Sequence, residues 1–150
     1  MLRLTRKMLF ALEAIVDIAY NARPDPVQSK EITRRQGIPQ RYLEQVMQQL
    51  VHAGILRSVR GPRGGYTLAR ERRRISVGEI VRIVADMDPE TEELPAPGSA
   101  LAMQVVRPLW DELCNEMWQR LDSITIDDLC QSARVHHIGV ESQERADFTI

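Results

Sequence analysis

The segment Ile55–Arg70 constrains the fold more than any other part of the chain. Ile55-Leu56-Arg57-Ser58-Val59-Arg60 and Tyr66-Thr67-Leu68-Ala69-Arg70 are short runs with the character of β-strands. Gly61-Pro62-Arg63-Gly64-Gly65 separates them. Two such runs around a glycine-rich turn predict a β-hairpin. Arg60 and Arg63 make its tip basic.

The sequence before the hairpin reads as helix. After Thr5, which fits an N-cap, Leu9, Leu12, Val16 and Ala19 recur at helical spacing with Met8 and Ile15 beside them. Glu13 and Asp17 fall four apart, on what reads as the other face. Pro24 and Pro26 close this helix. Ser29 reads as the cap of a short second helix ending near Gln36, and Gly37-Ile38-Pro39 makes a turn. A third helix starts near Gln40, with Tyr42, Leu43, Val46, Met47, Leu50 and Val51 on its apolar side and Gly54 as its stop. Helix, glycine-containing turn, helix and basic hairpin together predict a mostly α fold with a small β-hairpin wing, a winged helix-turn-helix.

Beyond the hairpin, Ser76 caps a helix from Val77 to about Met87. Residues 88–99 form an acidic loop with prolines. A long apolar helix lies within 100–121, and Thr125 caps a short one over Ile126–Gln131. The expected organisation is a DNA-binding winged helix-turn-helix domain over 1–87, the loop over 88–99, dimerisation helices over 100–132 and a flexible tail over 133–150. If the long helix starts near Ala100 it is about 33 Å long, against a radius of gyration near 15 Å for a compact chain of this size. Its stripe of Val106, Trp110, Leu113, Met117 and Leu121 is then placed to meet a second copy. If Pro108 instead marks the first turn, the helix is about 22 Å long and the length argument weakens.

Several function classes are excluded or disfavoured. The two cysteines, Cys114 and Cys130, cannot form a disulfide scaffold or fill a four-ligand metal site alone. They read first as small buried hydrophobes, with Cys114 as the candidate for a redox switch. His136-His137 reads as part of the solvated tail. No apolar run reaches membrane-spanning length. Glu13 and Asp17 interrupt the apolar stretch of Met1–Tyr20, which argues against a signal peptide and for a cytoplasmic protein. No nucleophile–base pair or nucleotide fingerprint indicates an enzyme. The glycine-rich turn lacks the Gly-Lys-Ser/Thr ending of a phosphate loop.

Charge points to the partner. Residues 1–76 carry 15 basic and 6 acidic side chains, whereas 77–150 carry 5 and 15. A basic front half fits a polyanion, and with a winged helix that polyanion is double-stranded DNA. The start of the third helix, with Gln40, Arg41, Tyr42, Glu44 and Gln45, should enter the major groove. Arg can donate to guanine, Gln can pair with adenine and Glu can accept from cytosine. Arg60, Gly61 and Arg63 would lie over the sugar–phosphate backbone or the minor groove. Arg72-Arg73-Arg74 reads as divided between phosphate contact and solvent, and Arg3, Arg6 and Lys7 as near the backbone.

Leu4-Thr5, Gln36-Gly37-Ile38, Tyr42-Leu43-Glu44-Gln45, Val59–Tyr66 and Val77-Gly78-Glu79-Ile80 resemble the IscR/NsrR/CymR family of bacterial winged-helix regulators. The specific motifs cover roughly residues 2–87, with looser similarity to about Leu129. The resemblance implies a dimeric transcription factor whose long helix packs against its twin. It implies DNA contacts at Arg41, Tyr42, Glu44, Gln45, Arg60 and Gly61. Many members hold an iron–sulfur cluster on three cysteines in the loop after the Val77 helix. Here Met87–Pro108 has no Cys or His, and Gln104 and Arg107 stand near the expected ligand positions. The expectation is therefore a member without that cluster, responding to thiol state, a small ligand or a protein partner. The reading from a different class is a winged-helix interaction module whose basic face meets an acidic protein.

Overall fold

Thr5 accepts a hydrogen bond from the Met8 amide and starts α1, Arg6–Asn21. In the computed structural model, which describes residues 4–22, 24–88, 95–136 and 138, this helix is the central strut. Ala11, Ala14, Ile15 and Ile18 are fully buried along it. Helix α2, Ser29–Gln36, is capped one residue earlier than expected. Gln28 is the N-cap and its amide donates to the Glu31 carboxylate at 3.1 Å. Ser29 is thereby freed for another role. Gly37 ends α2 with φ of 67°, a left-handed value that glycine adopts without steric cost. Helix α3, Gln40–His52, buries Leu43, Val46, Met47 and Leu50.

The hairpin forms as expected, with β1, Leu56–Val59, antiparallel to β2, Gly65–Leu68. A third segment joins it. Val27 and Tyr66 exchange both backbone hydrogen bonds, at 2.8 and 3.0 Å. A Cβ on Gly65 would run into the Val27 carbonyl, so this close approach requires glycine. The wing root is therefore fixed by the proline-containing loop after α1.

Ser76 caps α4, Val77–Met87, with a reciprocal bond from the Ser76 amide to Glu79. Downstream, Ser99 accepts from the Ala102 amide at 3.1 Å and the chain is helical from Ala100. The turn Ala102–Val106 is π-helical and runs directly into α5, Arg107–Ser123. The Arg107 amide bonds to the Ala102 carbonyl. Pro108 has no amide proton and its ring crowds the preceding turn, and the wider turn accommodates it. The longer of the two helix expectations therefore holds. From Ala100 to Ser123 the helix is about 36 Å long at 1.5 Å per residue.

Helix α6, Ile126–Val135, turns back to the start of the chain. Ile126 and Cys130 are fully buried and join the core that α1 organises. Ile126 N–H also bonds to the Ile75 carbonyl, and Val77 N–H to that of Ile124, at 2.9 and 2.8 Å. Residues 133–135, assigned to the tail, thus belong to this helix. The acidic loop from 89 to 94, His137 and the tail from 139 lie outside the described residues.

Two charged networks fasten the helices, and the first corrects the sequence reading. Asp17 is buried rather than on an outer face with Glu13. Arg35 donates to both of its carboxylate oxygens, at 2.7 and 2.9 Å, and Gln36 donates to one at 2.9 Å. Arg72 and Arg73, read from the sequence as divided between phosphate contact and solvent, also face an acidic partner inside the fold. Arg72 Nε lies 2.6 Å from buried Asp127 on α6, and Arg73 lies 3.8 Å from it. Burial pushes the Asp127 carboxyl up, but the Gln131 hydrogen bond and the charges of Arg72 and Arg73 together hold it below the usual aspartate range. The fold therefore favours the ionised form. Its stabilisation is fully present above the unfolded value of about 4 and is lost as pH falls through the lower folded value. Thermal melts of the natural protein and of Asp127→Asn should differ steadily near neutrality, and the gap should close below about pH 4. A gap that closes toward alkaline pH instead would show that the shift has the opposite sign.

Candidate nucleic-acid interface

The buried stripe of α3 dictates what its other side presents. With Leu43, Val46, Met47 and Leu50 inward, Arg41, Tyr42, Glu44 and Gln45 are all exposed. Gln48 is exposed one turn beyond Glu44 on the same side. The sequence reading did not select it, although its spacing of four from Glu44 was sufficient to do so. The Tyr42 ring leans on Phe10 of α1, with centroids 6.2 Å apart, and remains 43% exposed. The ring is thus braced by the core margin while much of it faces solvent.

Gln40 stands apart from these neighbours. It is half-buried, and its side-chain amide is already engaged. Oε1 accepts from the Thr33 hydroxyl at 2.9 Å. Nε2 donates to Ser29 Oγ at 3.3 Å and to Glu44 Oε1 at 2.9 Å.

The wing tip is built by glycine. Gly61 has φ of 114°, and its carbonyl accepts from the Gly64 amide at 2.9 Å. A Cβ on Gly64 would collide with the Val59 carbonyl. This tight turn leaves Arg60, Gly61 and Arg63 exposed. The tip reaches back to the helices through a long hydrogen bond, 3.5 Å, from Gln28 Nε2 to the Pro62 carbonyl. The start of α2 therefore sits between the two expected DNA-facing parts. Gln28 touches the wing, and Ser29 touches the first residue of α3.

The cations divide into two groups. Lys7, Arg35, Arg70, Arg72 and Arg82 are bound in ion pairs of 2.6–2.8 Å with Asp88, Asp17, Glu79, Asp127 and Asp122. Lys7 is therefore held by α4's end, and Arg3 lies outside the described residues. Among the described residues none forms a salt bridge with Arg41, Arg60 or Arg63. An unpaired exposed guanidinium can neutralise phosphate without first breaking an internal bond. The arrangement offers one helix face with donors and acceptors of several kinds, flanked by a basic tip.

The second candidate surface lies on α5 and the turn before it. Val105 and Val106 are 56% and 51% exposed, and Leu109, Trp110 and Leu113 are 54%, 43% and 46% exposed. Leu101 and Met103 extend the same apolar surface. The other end of α5 behaves differently: Trp118 and Leu121 pack against the core, Met117 is half-buried, and Arg82 of α4 stacks 4.2 Å above the Trp118 ring. Of the five stripe residues, Val106, Trp110 and Leu113 are thus exposed, while Met117 and Leu121 are half-buried. Cys114 is half-buried on α5. Cys130 is fully buried, and burial pushes its thiol pKa up, which makes it a poor nucleophile. No helix among the described residues is long and apolar enough to cross a membrane.

A family model described as Rrf2, iron-dependent transcriptional regulator, matches residues 4–132. The HTH-type transcriptional regulator IscR of Photobacterium profundum is 35% identical over 142 residues, covering 92% of this chain and 81% of that protein. Protein rrf2 of Nitratidesulfovibrio vulgaris is 32% identical over 134 residues, covering 88% and 89%. Among solved structures, IscR of T. potens matches with a TM-score of 0.71 at 36% identity, covering 88% of each chain. CymR, the global cysteine regulator of B. subtilis, matches with a TM-score of 0.73 at 30% identity, covering 88% of this chain and 98% of that one. The IscR/NsrR/CymR resemblance and the winged-helix fold expected from the sequence are both borne out.

The matched family is described as iron-dependent, and an iron–sulfur cluster is held by thiolate or imidazole ligands. Met87–Pro108 supplies no thiol and no imidazole. Gln104 carries a neutral amide, and Arg107 is a cation whose Nη2 donates to the Pro95 carbonyl. Neither replaces a thiolate on an iron–sulfur cluster. Among the described residues no three His, Cys, Asp or Glu side chains gather as a metal site. The residues of this segment do not fit the cluster.

Proposed function

Since the chain belongs to the Rrf2 family of transcriptional regulators, we propose that it is a homodimeric, sequence-specific DNA-binding repressor acting in the cytoplasm. The observation that carries this reading is the exposed face of α3 beside a basic wing tip whose Arg60 and Arg63 form no salt bridge among the described residues. Arg41, Glu44 and Gln45 would read base edges in the major groove, with Tyr42 braced against Phe10 and reaching a phosphate. Arg60, Gly61 and Arg63 would follow the backbone into the minor groove. Two copies joined along α5 would read an imperfect palindrome. On this reading residues 1–87 touch DNA and 100–132 include the dimerisation surface. The chain would regulate without a cluster in the 88–108 segment, through a small ligand, a protein partner or the thiol of Cys114.

The test is selection of binding sites from genomic fragments by the purified protein, followed by affinity measurements across a salt series. A palindrome should emerge, and log affinity should fall linearly with log salt. Arg41→Ala should cost about 1–3 kcal/mol per half-site and relax preference at one base pair in each. Arg60→Ala should weaken binding to all sequences more evenly and reduce the salt slope. Variants that bind the selected site as the natural protein does would remove both residues from the interface. A captured acidic protein that resists competition by bulk duplex DNA would instead favour an interaction module.

A further inference from the structure

A side-chain amide has one acceptor oxygen and two N–H donors. In Gln40 the oxygen is taken by Thr33 and the nitrogen serves Ser29 and Glu44. Glutamine reads adenine with that same oxygen and nitrogen together, so Gln40 would have to break bonds to both helices before touching a base. Its nitrogen instead donates to a carboxylate, which is the stronger, charge-assisted kind of bond. Ser29 and Thr33 stand one turn apart on α2, whereas Gln40 and Glu44 stand one turn apart on α3. The four residues form a hydrogen-bonded bridge from the first helix of the pair to the exposed face of the second. Glu44 is otherwise exposed and free to choose among rotamers. The bridge engages Oε1 and leaves Oε2 open to accept from an amino group.

We propose that Gln40 is a positioning residue for Glu44: it makes no base contact but fixes the carboxylate that selects cytosine in the major groove. This rests on the DNA-reading function above and assigns a different role to a residue that the sequence places among the base readers. A carboxylate held in one orientation accepts from cytosine N4 without losing rotamer freedom on binding, so discrimination is sharpened. Released, the same carboxylate only repels phosphate.

The experiment is site selection from a randomised duplex library by the full chain, for the natural protein, Gln40→Ala, Glu44→Ala and the double variant. Thr33→Val, on α2, is included because it removes only the hydroxyl that holds the Gln40 oxygen. Melting curves check that each variant is folded. Glu44→Ala should lose about tenfold discrimination at one base pair per half-site, in line with a single base contact. Gln40→Ala should lose about three- to tenfold at that same pair, and Thr33→Val a smaller factor there. The double variant should lose no more than Glu44→Ala alone, because the amide acts only through the carboxylate. A preference lost at a different base pair in Gln40→Ala, additive losses in the double variant, or unchanged selection by Gln40→Ala would each overturn the proposal. Failure of the natural protein to select any sequence would overturn the regulator reading itself, and this assignment with it, and is distinct from those results.

Discussion

Asp17→Ala is expected to lower the unfolding free energy by about 3–5 kcal/mol, the range for removing one partner of a buried ion pair. Asp17 is fully enclosed at its side chain, and the paired Arg35 is only 17% exposed. The variant therefore loses two guanidinium bonds and the Gln36 bond together. A domain of this size has about 5–15 kcal/mol in total, so the loss is a large fraction of the whole. With a urea slope of about 1–3 kcal/mol/M, the midpoint should fall by one molar or more. Asp17→Asn keeps an acceptor but not the charge, and should fall between the two. A midpoint unchanged in Asp17→Ala would mean that the network orients α2 without stabilising the fold. The effect should extend to DNA, because Arg35 and Gln36 belong to the helix that carries Ser29 and Thr33.

Leu113→Glu addresses the other large expected effect. Leu113 is 46% exposed in the protomer, so the substitution leaves the monomer's packing intact. In a two-fold interface it would bury two uncompensated carboxylates, a cost that desolvation makes prohibitive at ordinary concentrations. The natural protein should sediment at twice 17.2 kDa and the variant as a monomer with an unchanged circular dichroism spectrum. Half-site binding loses the gain from joining two readers, so operator affinity should drop by about 10²–10⁴. A Leu113→Glu protein that remained dimeric would place the twofold contact elsewhere than the exposed part of α5.

Much of this was legible in the sequence because it is local. Caps at Thr5, Ser76 and Thr125, the Gly37 stop and the glycine-rich hairpin act over a few residues, and each formed where expected. Apolar spacing also revealed which face of α3 is buried. What escaped depends on partners distant in sequence. Asp17 looked like an exposed helix residue because Arg35, its partner, is eighteen positions away. The internal partner of Arg72 and Arg73 was invisible because Asp127 lies beyond two further helices. Val27 showed no strand signal, since a single bridge to Tyr66 needs no alternating pattern. In the interface, the outward positions of α3 could be named from spacing, whereas the internal engagement of Gln40 could not. That required knowing that Ser29 is the first residue of α2 rather than its cap.

The return of α6 to the core has a consequence for dissection of the protein. Ile126 and Cys130 complete the packing around α1, and Asp127 neutralises arginines that follow the wing. A fragment that ends at Met87 looks like a self-sufficient DNA reader on a linear map. It would lack its own lid and leave apolar surface and a cluster of unneutralised arginines facing water. Modularity here is an illusion of sequence order: α6 is part of the first structural unit, and neither can be transplanted without the other.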